Sequence, residues 1–384
     1  MPRLADVVAT VEQLYDPALA EPWDAVGLVC GDPEADVRRV LFAVDPVATV
    51  VDEALAWGAD LVVTHHPLFL RPVHGVAATT PKGRVVHRLV SHGAALHVAH
   101  TNADSADPGV SDALARALGL ADLRPLDPQP AEAAEKLVVF VPEPDAERLL
   151  DALAAAGAGR IGAYERCAWT TGGVGTFRPG EGASPAIGRV GDVEHVDETR
   201  LEMVVPEADR AAVLSALAAA HPYEEPAYDL YRLAGVPGST GLGRIGTLPR
   251  PEPLESFAQR VADALPATAG GVRAAGDPGS TVATVAVCGG SGDSLVQAAR
   301  TAGADAYVTA DLRHHPASEA VEAGPPGLID VAHWASEWPW LNDAADRIAG
   351  ALSAAGATVE TRVSTTPTDP WTMHVAKEDS GAER

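Results

Sequence analysis

Residues 40–66 read VLFAVDPVATVVDEALAWGADLVVTHH, and residues 285–311 read VAVCGGSGDSLVQAARTAGADAYVTAD. In both stretches an apolar strand is followed by a turn, an amphipathic helix, the tripeptide Gly-Ala-Asp and a second strand that ends in Val-Thr. The chain therefore contains the same βαβ pattern twice. Such a repeat predicts parallel strands with right-handed crossovers, so we expect an α/β fold in which two pseudo-symmetric α/β lobes form one core.

The similarity between the halves continues into a third strand. Each half has a strand that ends in Val-Ala-His, at His100 in the first and at His333 in the second. A carboxylate follows four residues later in both cases, at Asp104 and at Glu337. These two pairs are therefore equivalent positions in the predicted lobes.

A second internal repeat lies between the two halves. Residues 141–156 read VPEPDAERLLDALAAA and residues 205–220 read VPEADRAAVLSALAAA, each after a short apolar strand. The resulting order of strands and helices is that of a ferredoxin-like βαββαβ domain. We therefore predict a first α/β lobe at 1–131, an inserted α+β domain at 132–235, and a second lobe at 236–384.

The composition limits the class of protein. The chain has 384 residues, 47% of them hydrophobic, and no apolar run approaches the ~18 residues of a membrane span. Its acidic N-terminal residues do not resemble a signal peptide, and three widely spaced cysteines fit a reducing compartment, so we expect a cytoplasmic protein. With a net charge of −25 and no basic run, nucleic acid is an unlikely partner.

Imidazoles and carboxylates collect at the predicted strand ends. Ligands of open α/β sheets gather outside the carboxyl ends of the strands, and pairing two lobes would bring these ends together. Nitrogen and oxygen donors of this kind suit zinc, iron, manganese or nickel, and two carboxylates could bridge two ions. The candidate side chains are His65, His66, His100, Asp104, His333 and Glu337, with Asp311, His314 and His315 close behind.

The adjacent pair His65-His66 needs separate consideration. A lone His-His pair is more often a surface or core feature than a ligand pair, but the match of strand ends in a duplicated unit favours a metal site. Adjacent side chains on a strand point to opposite faces, so both can face ions only if the strand ends there, which Pro67 favours. The sister half has Ala310-Asp311 at this position.

A glycine-rich turn follows the strand that begins the second repeat. Gly289-Gly290-Ser291-Gly292 has the placement of a phosphate-binding loop, although it lacks the GxGxxG spacing and a Walker lysine. A tight turn with close helix–sheet packing explains the same residues, and both readings stay open.

The ordered set of motifs resembles the dinuclear-metal-centre family known as type 2 GTP cyclohydrolase I, the Nif-three-like proteins, in its long bacterial form. The resemblance covers nearly the whole chain, and the middle region looks like the PII/CutA-like insert of that form. The motifs that carry it are Trp23-Asp24-Ala25-Val26-Gly27-Leu28, Thr64-His65-His66-Pro67, His100-Thr101-Asn102-Ala103-Asp104, Gly241-Leu242-Gly243-Arg244-Ile245-Gly246, Val287-Cys288-Gly289-Gly290-Ser291-Gly292 and His333-x-x-x-Glu337.

The resemblance implies a homohexameric toroid with two divalent ions per subunit, zinc or iron foremost and manganese or nickel as alternatives. Carried over by position, the ligands are His65, His66, Asp104, His333 and Glu337, with Asp104 and Glu337 bridging. The family's usual asparagine is Ala25 here, and its usual glycine before Asp311 is Ala310; neither departure touches an implied ligand.

Two functions are compatible with such a site. A dinuclear centre could cleave phosphoesters or other hydrolysable bonds, and the resemblance narrows the first function to GTP. The first is a metal-dependent hydrolase, a GTP cyclohydrolase in which a metal-bound hydroxide opens the purine ring and releases formate. His315 and His100 are then the candidate general acid or base, chosen by their proximity to the strand ends. The second is a non-catalytic metal-binding, metal-delivery or regulatory protein whose inserted domain senses a ligand. To hold GTP on so acidic a chain, the metal ions together with Arg244 or Arg313 would have to create a local positive spot.

Overall fold

The structure is a computed structural model that describes residues 1–130, 133–235 and 237–375. The chain forms two compact units. The larger one comprises Met1–Gln129 and the chain from Ser239 onward, and the smaller one is the intervening segment of the sequence, Pro130–Gly238. The predicted domain boundaries at residues 131, 132 and 236 lie outside the described residues. None of the described helices combines the length and the apolar character that a membrane span requires.

The first segment of the larger unit alternates strands and α-helices. In chain order its elements are α1 (Leu4–Leu14), β1 (Gly27–Cys30), β2 (Arg39–Ala43), α2 (Ala48–Trp57), β3 (Leu61–Thr64), α3 (Pro81–Ser91), β4 (Ala95–Val98), α4 (Thr101–Ser105), α5 (Val110–Ala117) and β5 (Ala121–Pro130).

The smaller unit consists of one antiparallel sheet and two helices. Its elements are β6 (Ala134–Pro142), α6 (Ala146–Ala155), β7 (Ala168–Phe177), β8 (Glu194–Pro206), α7 (Arg210–Ala220) and β9 (Tyr228–Arg232). The order of its strands in the sheet is β7-β8-β6-β9. Leu149, Leu153, Val213 and Leu217 on the two helices pack against apolar residues of β6 and β8.

The remaining segment completes the larger unit. Its elements are β10 (Pro237–Pro253), α8 (Leu254–Ala264), β11 (Arg273–Ala275), β12 (Thr281–Ser291), α9 (Val296–Thr301), β13 (Ala306–Ala310), α10 (His314–Glu322), β14 (Gly327–Val331), α11 (His333–Ala354) and β15 (Glu360–Val363).

Two sheets carry the repeat that the sequence predicts. The five-stranded sheet has the order β1-β4-β3-β2-β15, with β15, β2, β3 and β4 parallel. The six-stranded sheet has the order β11-β14-β13-β12-β10-β5, with β12, β13 and β14 parallel. The triplets β2-β3-β4 and β12-β13-β14 are the two copies of the repeat, so the prediction of an α/β fold with two pseudo-symmetric lobes is confirmed.

The repeated Gly-Ala-Asp has the same local role in both lobes. Oδ2 of Asp60 accepts hydrogen bonds from the backbone N–H groups of Arg38 and Arg39 at 2.7 and 2.9 Å. Oδ2 of Asp305 accepts the equivalent pair from Ala283 and Thr284 at 2.9 and 2.8 Å. Each aspartate therefore satisfies backbone donors near the start of the neighbouring strand, which need partners when they leave water.

The core is layered on both faces of each sheet. Successive residues of a strand point to opposite faces, so Val40 and Phe42 pack on α11 while Leu41 packs towards α2 and α3. Helix α11 contacts strands of both sheets and also packs against α5. The carboxyl ends of β3, β4 and β14 consequently open towards the first turn of α11.

Candidate metal centre

Six titratable side chains meet where these strands end. His65 and His66 follow β3 directly, His100 precedes α4 and Asp104 lies on α4. His333 is the first residue of α11, and Glu337 lies one turn further along this helix. Residues four apart on a helix share one face, which places Glu337 beneath His333. His65 and Glu337 are buried, and the other four side chains are partly exposed.

Both adjacent histidines face the same centre because the strand has ended before them. The last residue of β3 is Thr64, and its hydroxyl donates a hydrogen bond to the carbonyl of His66 at 3.0 Å, which stabilises the turn. The ring centroids of His65 and His66 lie 5.2 Å apart. The alternation that would separate two neighbours on a strand therefore does not apply here.

The donor atoms form two overlapping groups. The ligand nitrogens of His65, His66 and His100 lie within 4.8 Å of one another, and so do the ligand atoms of His66, His333 and Glu337. His66 belongs to both groups.

Glu337 is the central carboxylate. Its Oε1 lies 2.9 Å from Nε2 of His333 and 3.4 Å from Nε2 of His65. Its Oε2 lies 3.2 Å from Nε2 of His66. Asp104 approaches from the first lobe, with Oδ1 3.5 Å from Nε2 of His65.

All four imidazoles are oriented by an acceptor at Nδ1. When Nδ1–H donates to such an acceptor, Nε2 keeps its lone pair and is free to bind a metal, an arrangement common around metal-binding histidines. The four Nδ1 contacts are His65 with the carbonyl of Ala99 at 2.9 Å, His66 with Asp45 at 2.8 Å, His100 with Asp24 at 2.8 Å, and His333 with Asp311 at 2.7 Å.

Asp311 adopts a strained backbone conformation to make its contact. Its φ is +57°, in the left-handed region that is costly for residues other than glycine, by about 1–2 kcal/mol. Strain of this kind persists where the surroundings enforce it, and is concentrated at functional sites. Here it accompanies the carboxylate that fixes the tautomer of His333.

Several features of the cluster fit a bound cation. His65 Nε2, Asp104 Oδ1 and Glu337 Oε2 are buried and have no hydrogen-bond partner among the described residues. Nε2 of His66 lies 3.2 Å from Nε2 of His333, and two lone pairs at that distance repel unless a proton or a metal ion intervenes. Buried polar atoms without partners are unfavourable, so the donor set is one that divalent zinc, iron, manganese or nickel would complete.

Gly290 leaves room for this cluster. A Cβ at Gly290 would lie 2.5 Å from Oε1 of Glu337 and 3.1 Å from Nε2 of His333. The predicted glycine-rich turn largely belongs to β12 in the structure, because Gly289, Gly290 and Ser291 are the last residues of this strand, and Gly290 lies against the candidate ligands. Its backbone N–H donates to the hydroxyl of Ser336 at 2.8 Å, which holds this end of the strand on α11.

The charges of the carboxylates dominate the titration of the histidines. Burial by itself lowers the pKa of His66, but Glu337 and Asp45 outweigh it and raise this pKa to about 11. The same balance, with Glu337 and Asp311, raises the pKa of His333 to about 9. Burial opposes the charge of Glu337, yet the surrounding imidazoles hold its pKa well below the usual value. The site thus favours positive charge, which either protons or metal ions can supply.

The two candidate acid–base histidines lie in different environments. His100 is part of the cluster, and its partner Asp24 also accepts hydrogen bonds from the backbone and hydroxyl of Thr101 at 3.0 and 2.6 Å. His315 is exposed on the first turn of α10, next to His314 at a ring distance of 5.1 Å. Within the described part of the chain, no hydrogen bond connects His315 to the cluster.

Arg244 is not available to hold a nucleotide. It is 1% exposed and its Nε lies 2.9 Å from Oδ2 of Asp112, while its other nitrogens donate to backbone carbonyls. Arg313 pairs with Asp293 on the surface. The expectation that Arg244 provides a local positive spot was therefore wrong, because the structure uses its charge inside the core.

Sequence reasoning did not identify the residues that orient the imidazoles. Asp45 follows β2, Asp24 precedes β1, and Asp311 stands where the first lobe has His66. Asp24 lies in a motif of the resemblance, and Asp311 was expected near the site, but neither was assigned the role of orienting an imidazole. Asp45 was not singled out, although it follows a strand of the repeat as Asp311 does.

The chain is similar to known proteins over nearly its whole length. A family model described as Duf34/NIF3 (NGG1p interacting factor 3) matches residues 2–370. A Mycobacterium tuberculosis protein of strain H37Rv, named GTP cyclohydrolase 1 type 2 homolog, is 55% identical over 372 residues, covering 97% of this chain and 97% of that protein.

Two solved structures are also similar to this chain over nearly its whole length. The Bacillus cereus protein related to NIF3 is 37% identical, with a TM-score of 0.71, over 97% of this chain and 99% of that one. The Staphylococcus aureus protein SA1388 is 27% identical, with a TM-score of 0.81 and the same two coverages.

Proposed function

The chain belongs to the Duf34/NIF3 family, and from this premise we propose that it is a metal-dependent hydrolase with two divalent ions per subunit. The family that the sequence motifs indicated is thereby confirmed. The proposed ligands are His65, His66, Asp104, His333 and Glu337, and the geometry adds His100 as a further nitrogen donor.

One observation carries the proposal. Four imidazoles, each held at Nδ1 by an acceptor, present Nε2 to one centre that also contains buried carboxylate oxygens without partners. A structural histidine needs only one satisfied nitrogen and does not require this convergence. Metal binding explains the orientation of all four rings at once.

The residues of the chain have distinct proposed roles. Glu337 faces three imidazoles and is the better placed of the two candidate bridging carboxylates. Asp45 and Asp311 accept hydrogen bonds from Nδ1 of His66 and His333, so that Nε2 of each ring would be the nitrogen that exchanges its proton for a metal ion. Asp24 holds His100 in the same way, so Nε2 of His100 can either bind an ion or accept a proton. Bound divalent ions would supply Lewis-acid polarisation and lower the pKa of a water molecule.

The first substrate to test is GTP. The curated relative from Mycobacterium tuberculosis is named as a homolog of GTP cyclohydrolase 1 type 2, and that name is the reason for the choice. Hydrolytic opening of the purine ring would release formate, which can be measured directly.

Metal content is the primary test. We expect about two divalent ions per chain by elemental analysis of protein purified without chelator, as the donor set predicts. Glu337→Gln, which keeps the shape but removes the charge, should lose at least one ion. The matched control is Glu319→Gln on the exposed surface of α10. A wild-type content near zero after metal loading would overturn the proposal.

Variants of His100 separate the roles of ligand and base. His100→Gln should lose metal if His100 is a ligand, and should keep metal but lose formate release if it is the proton acceptor. His74→Gln, in an exposed loop of the same lobe, is the control. Unchanged metal content and unchanged turnover in His100→Gln would exclude both roles. His315→Ala should keep its metal, and it tests the other candidate acid through turnover alone.

A non-catalytic metal-binding or metal-delivery function is the second candidate. It is favoured by the position of His315, which lacks a hydrogen-bond path to the cluster within the described residues. Metal-loaded protein that turns over neither GTP nor a generic phosphodiester, and that passes its metal to a chelator at a defined rate, would support this function over hydrolysis.

We also propose the domain organisation and assembly that the resemblance implies. Residues 132–235 would form the inserted ferredoxin-like domain, supported by the chain order of β6 to β9 and by the sheet order β7-β8-β6-β9. The homohexamer is tested by light scattering of the full chain.

A further inference from the structure

A cavity of about 420 Å³ opens beside the candidate metal centre. Asp45 and His66 line it together, so the cavity shares a proposed ligand and its orienting carboxylate with the cluster. Its volume lies within the range of small-molecule sites, about 300–1,000 Å³. Apolar side chains form much of the wall, among them Val47, Leu68 and Val85.

Three cationic side chains line the same cavity: Lys82, Arg84 and Arg88. This concentration is notable in a chain with 28 basic and 53 acidic residues. Arg88 forms an ion pair with Asp52. Within the described residues, Lys82 and Arg84 have no carboxylate within 4.0 Å. Their charges are therefore not compensated by an ion pair.

The contacts of Lys82 and Arg84 leave their charges available. Lys82 Nζ lies 5.9 Å from the ring centroid of Phe69, and Arg84 donates to the carbonyl of Thr79 at 3.3 Å. Asp45 is the carboxylate among the residues that line the cavity, and both its oxygens accept hydrogen bonds, from His66 and from Thr368. An anion that enters would meet two cations and a carboxylate that is already engaged.

Backbone dipoles add to this positive field. Val47 and Ala48, at the start of α2, line the cavity. Val47 is the N-cap residue, and its apolar side chain accepts no hydrogen bond from the helix N–H groups. The N-terminus of a helix favours negative charge. The start of α3 also lines the cavity. Gly83 permits close packing there, because a Cβ at this position would lie 1.9 Å from the carbonyl oxygen of Ala77. That contact fixes the turn that carries Lys82 and Arg84.

We propose that this cavity is a subsite for the phosphate group of a small organic substrate, with Lys82 and Arg84 as the binding cations and the apolar wall as the seat of the organic part. The term substrate rests on the proposed function, whereas binding in the cavity does not. Because His66 belongs to both sites, a molecule held here lies next to the candidate metal centre. The net charge of −25 would otherwise repel such a ligand.

The test uses the full chain after chelator treatment, so that phosphate bound to metal cannot contribute. Phenyl phosphate is the probe, phenol is its uncharged counterpart, and binding is followed by ³¹P NMR or calorimetric titration. We expect saturable binding of phenyl phosphate, and at least tenfold weaker binding in Lys82→Ala/Arg84→Ala, since charge-assisted contacts typically contribute this much. Phenol should bind far more weakly than phenyl phosphate.

The matched control is Arg124→Ala/Arg250→Ala, which removes two exposed positive charges elsewhere in the same unit. It should bind phenyl phosphate as the wild type does. The proposal is overturned if the wild type shows no saturable binding, if Lys82→Ala/Arg84→Ala binds equally well, or if the control loses as much affinity. Metal content is measured in every variant before chelator treatment. A protein without metal would contradict the metal proposal, whereas the binding of phenyl phosphate tests this proposal separately.

Discussion

Replacing Gly290 with alanine tests the metal centre without removing a ligand. The new Cβ would lie 2.5 Å from Oε1 of Glu337, whereas ordinary contacts begin at 3.4 Å, so something must move by about 0.9 Å, the difference between the two. Metal–ligand distances tolerate only about 0.2 Å. We therefore expect Gly290→Ala to weaken binding of the ion near His333 and Glu337 by about 10- to 100-fold, the range found when the support of a ligand is disturbed.

The left-handed backbone at Gly290, with φ +68°, would by itself destabilise an alanine variant by about 1–2 kcal/mol. Gly303→Ala controls for that effect, because Gly303 has φ +78° and no atom within 4 Å of its ideal Cβ. Both variants are loaded with metal, dialysed against a graded chelator series and measured by elemental analysis, with thermal unfolding in parallel. If Gly290→Ala retains metal as well as Gly303→Ala does, binding of the ion does not require Glu337 and His333 in the positions that the structure gives them.

Three further predictions follow from buried or coupled groups. Asp311→Asn should leave His333 without its anionic partner and lower metal affinity about 10- to 100-fold in the chelator series. Burial lowers the pKa of His97 to about 4 from 6.5, so the unfolded chain takes up the proton first as pH falls below 6.5. Through His97 the wild type should therefore lose up to about 3 kcal/mol of unfolding free energy as the pH falls from 6.5 to 4. His97→Leu should not show this loss, so its Tm should depend less on pH in chelator-treated protein. Arg244→Met should cost about 3–5 kcal/mol in denaturant unfolding, because it leaves the carboxylate of Asp112 buried and unpaired.

Each of these has a control on the surface. Asp263→Asn should leave metal affinity unchanged, His92→Leu should keep the wild-type pH dependence, and Arg313→Met, whose ion pair is exposed, should cost less than about 1 kcal/mol. Equal effects in a variant and its control would contradict the corresponding assignment. For His97, a wild-type pH slope in His97→Leu would show that other groups carry the acid sensitivity.

The fold could be predicted from the sequence because of the repeat: two copies of one βαβ pattern define both the direction and the order of the strands. The strand ends were less accurate. The apolar pattern continues through Ala99 and Ala332, and the prediction accordingly extended both strands to the histidines that follow. In the structure β4 ends at Val98 and β14 ends at Val331. Apolar character marks burial, whereas a strand requires paired backbone groups, and here the strand pairing ends two residues before the histidine, where a helix begins: α4 starts just after His100 and α11 starts at His333.

The candidate ligands could be selected because each one follows a predicted strand of the repeat. Their orienting partners could not, since Asp24 lies 76 residues from His100 and Asp45 lies 21 residues from His66. No period of a helix or strand relates such positions. The cavity with Lys82 and Arg84 was missed for the same reason, because its lining comes from separate segments at the start of α2, after β3 and at the start of α3.

The duplicated fold places different chemistry at equivalent positions, and this makes the two halves of the centre unequal. Where the first lobe has His66, the second has Asp311, which orients His333 instead of pointing a ligand nitrogen at the centre. One donor group therefore consists of three imidazoles, and the other of two imidazoles and the carboxylate of Glu337. A carboxylate adds negative charge and a harder oxygen donor, so two ions bound here would differ in affinity and in preferred metal. His66 is common to both groups and to the neighbouring cavity, so replacing it would alter all three places at once.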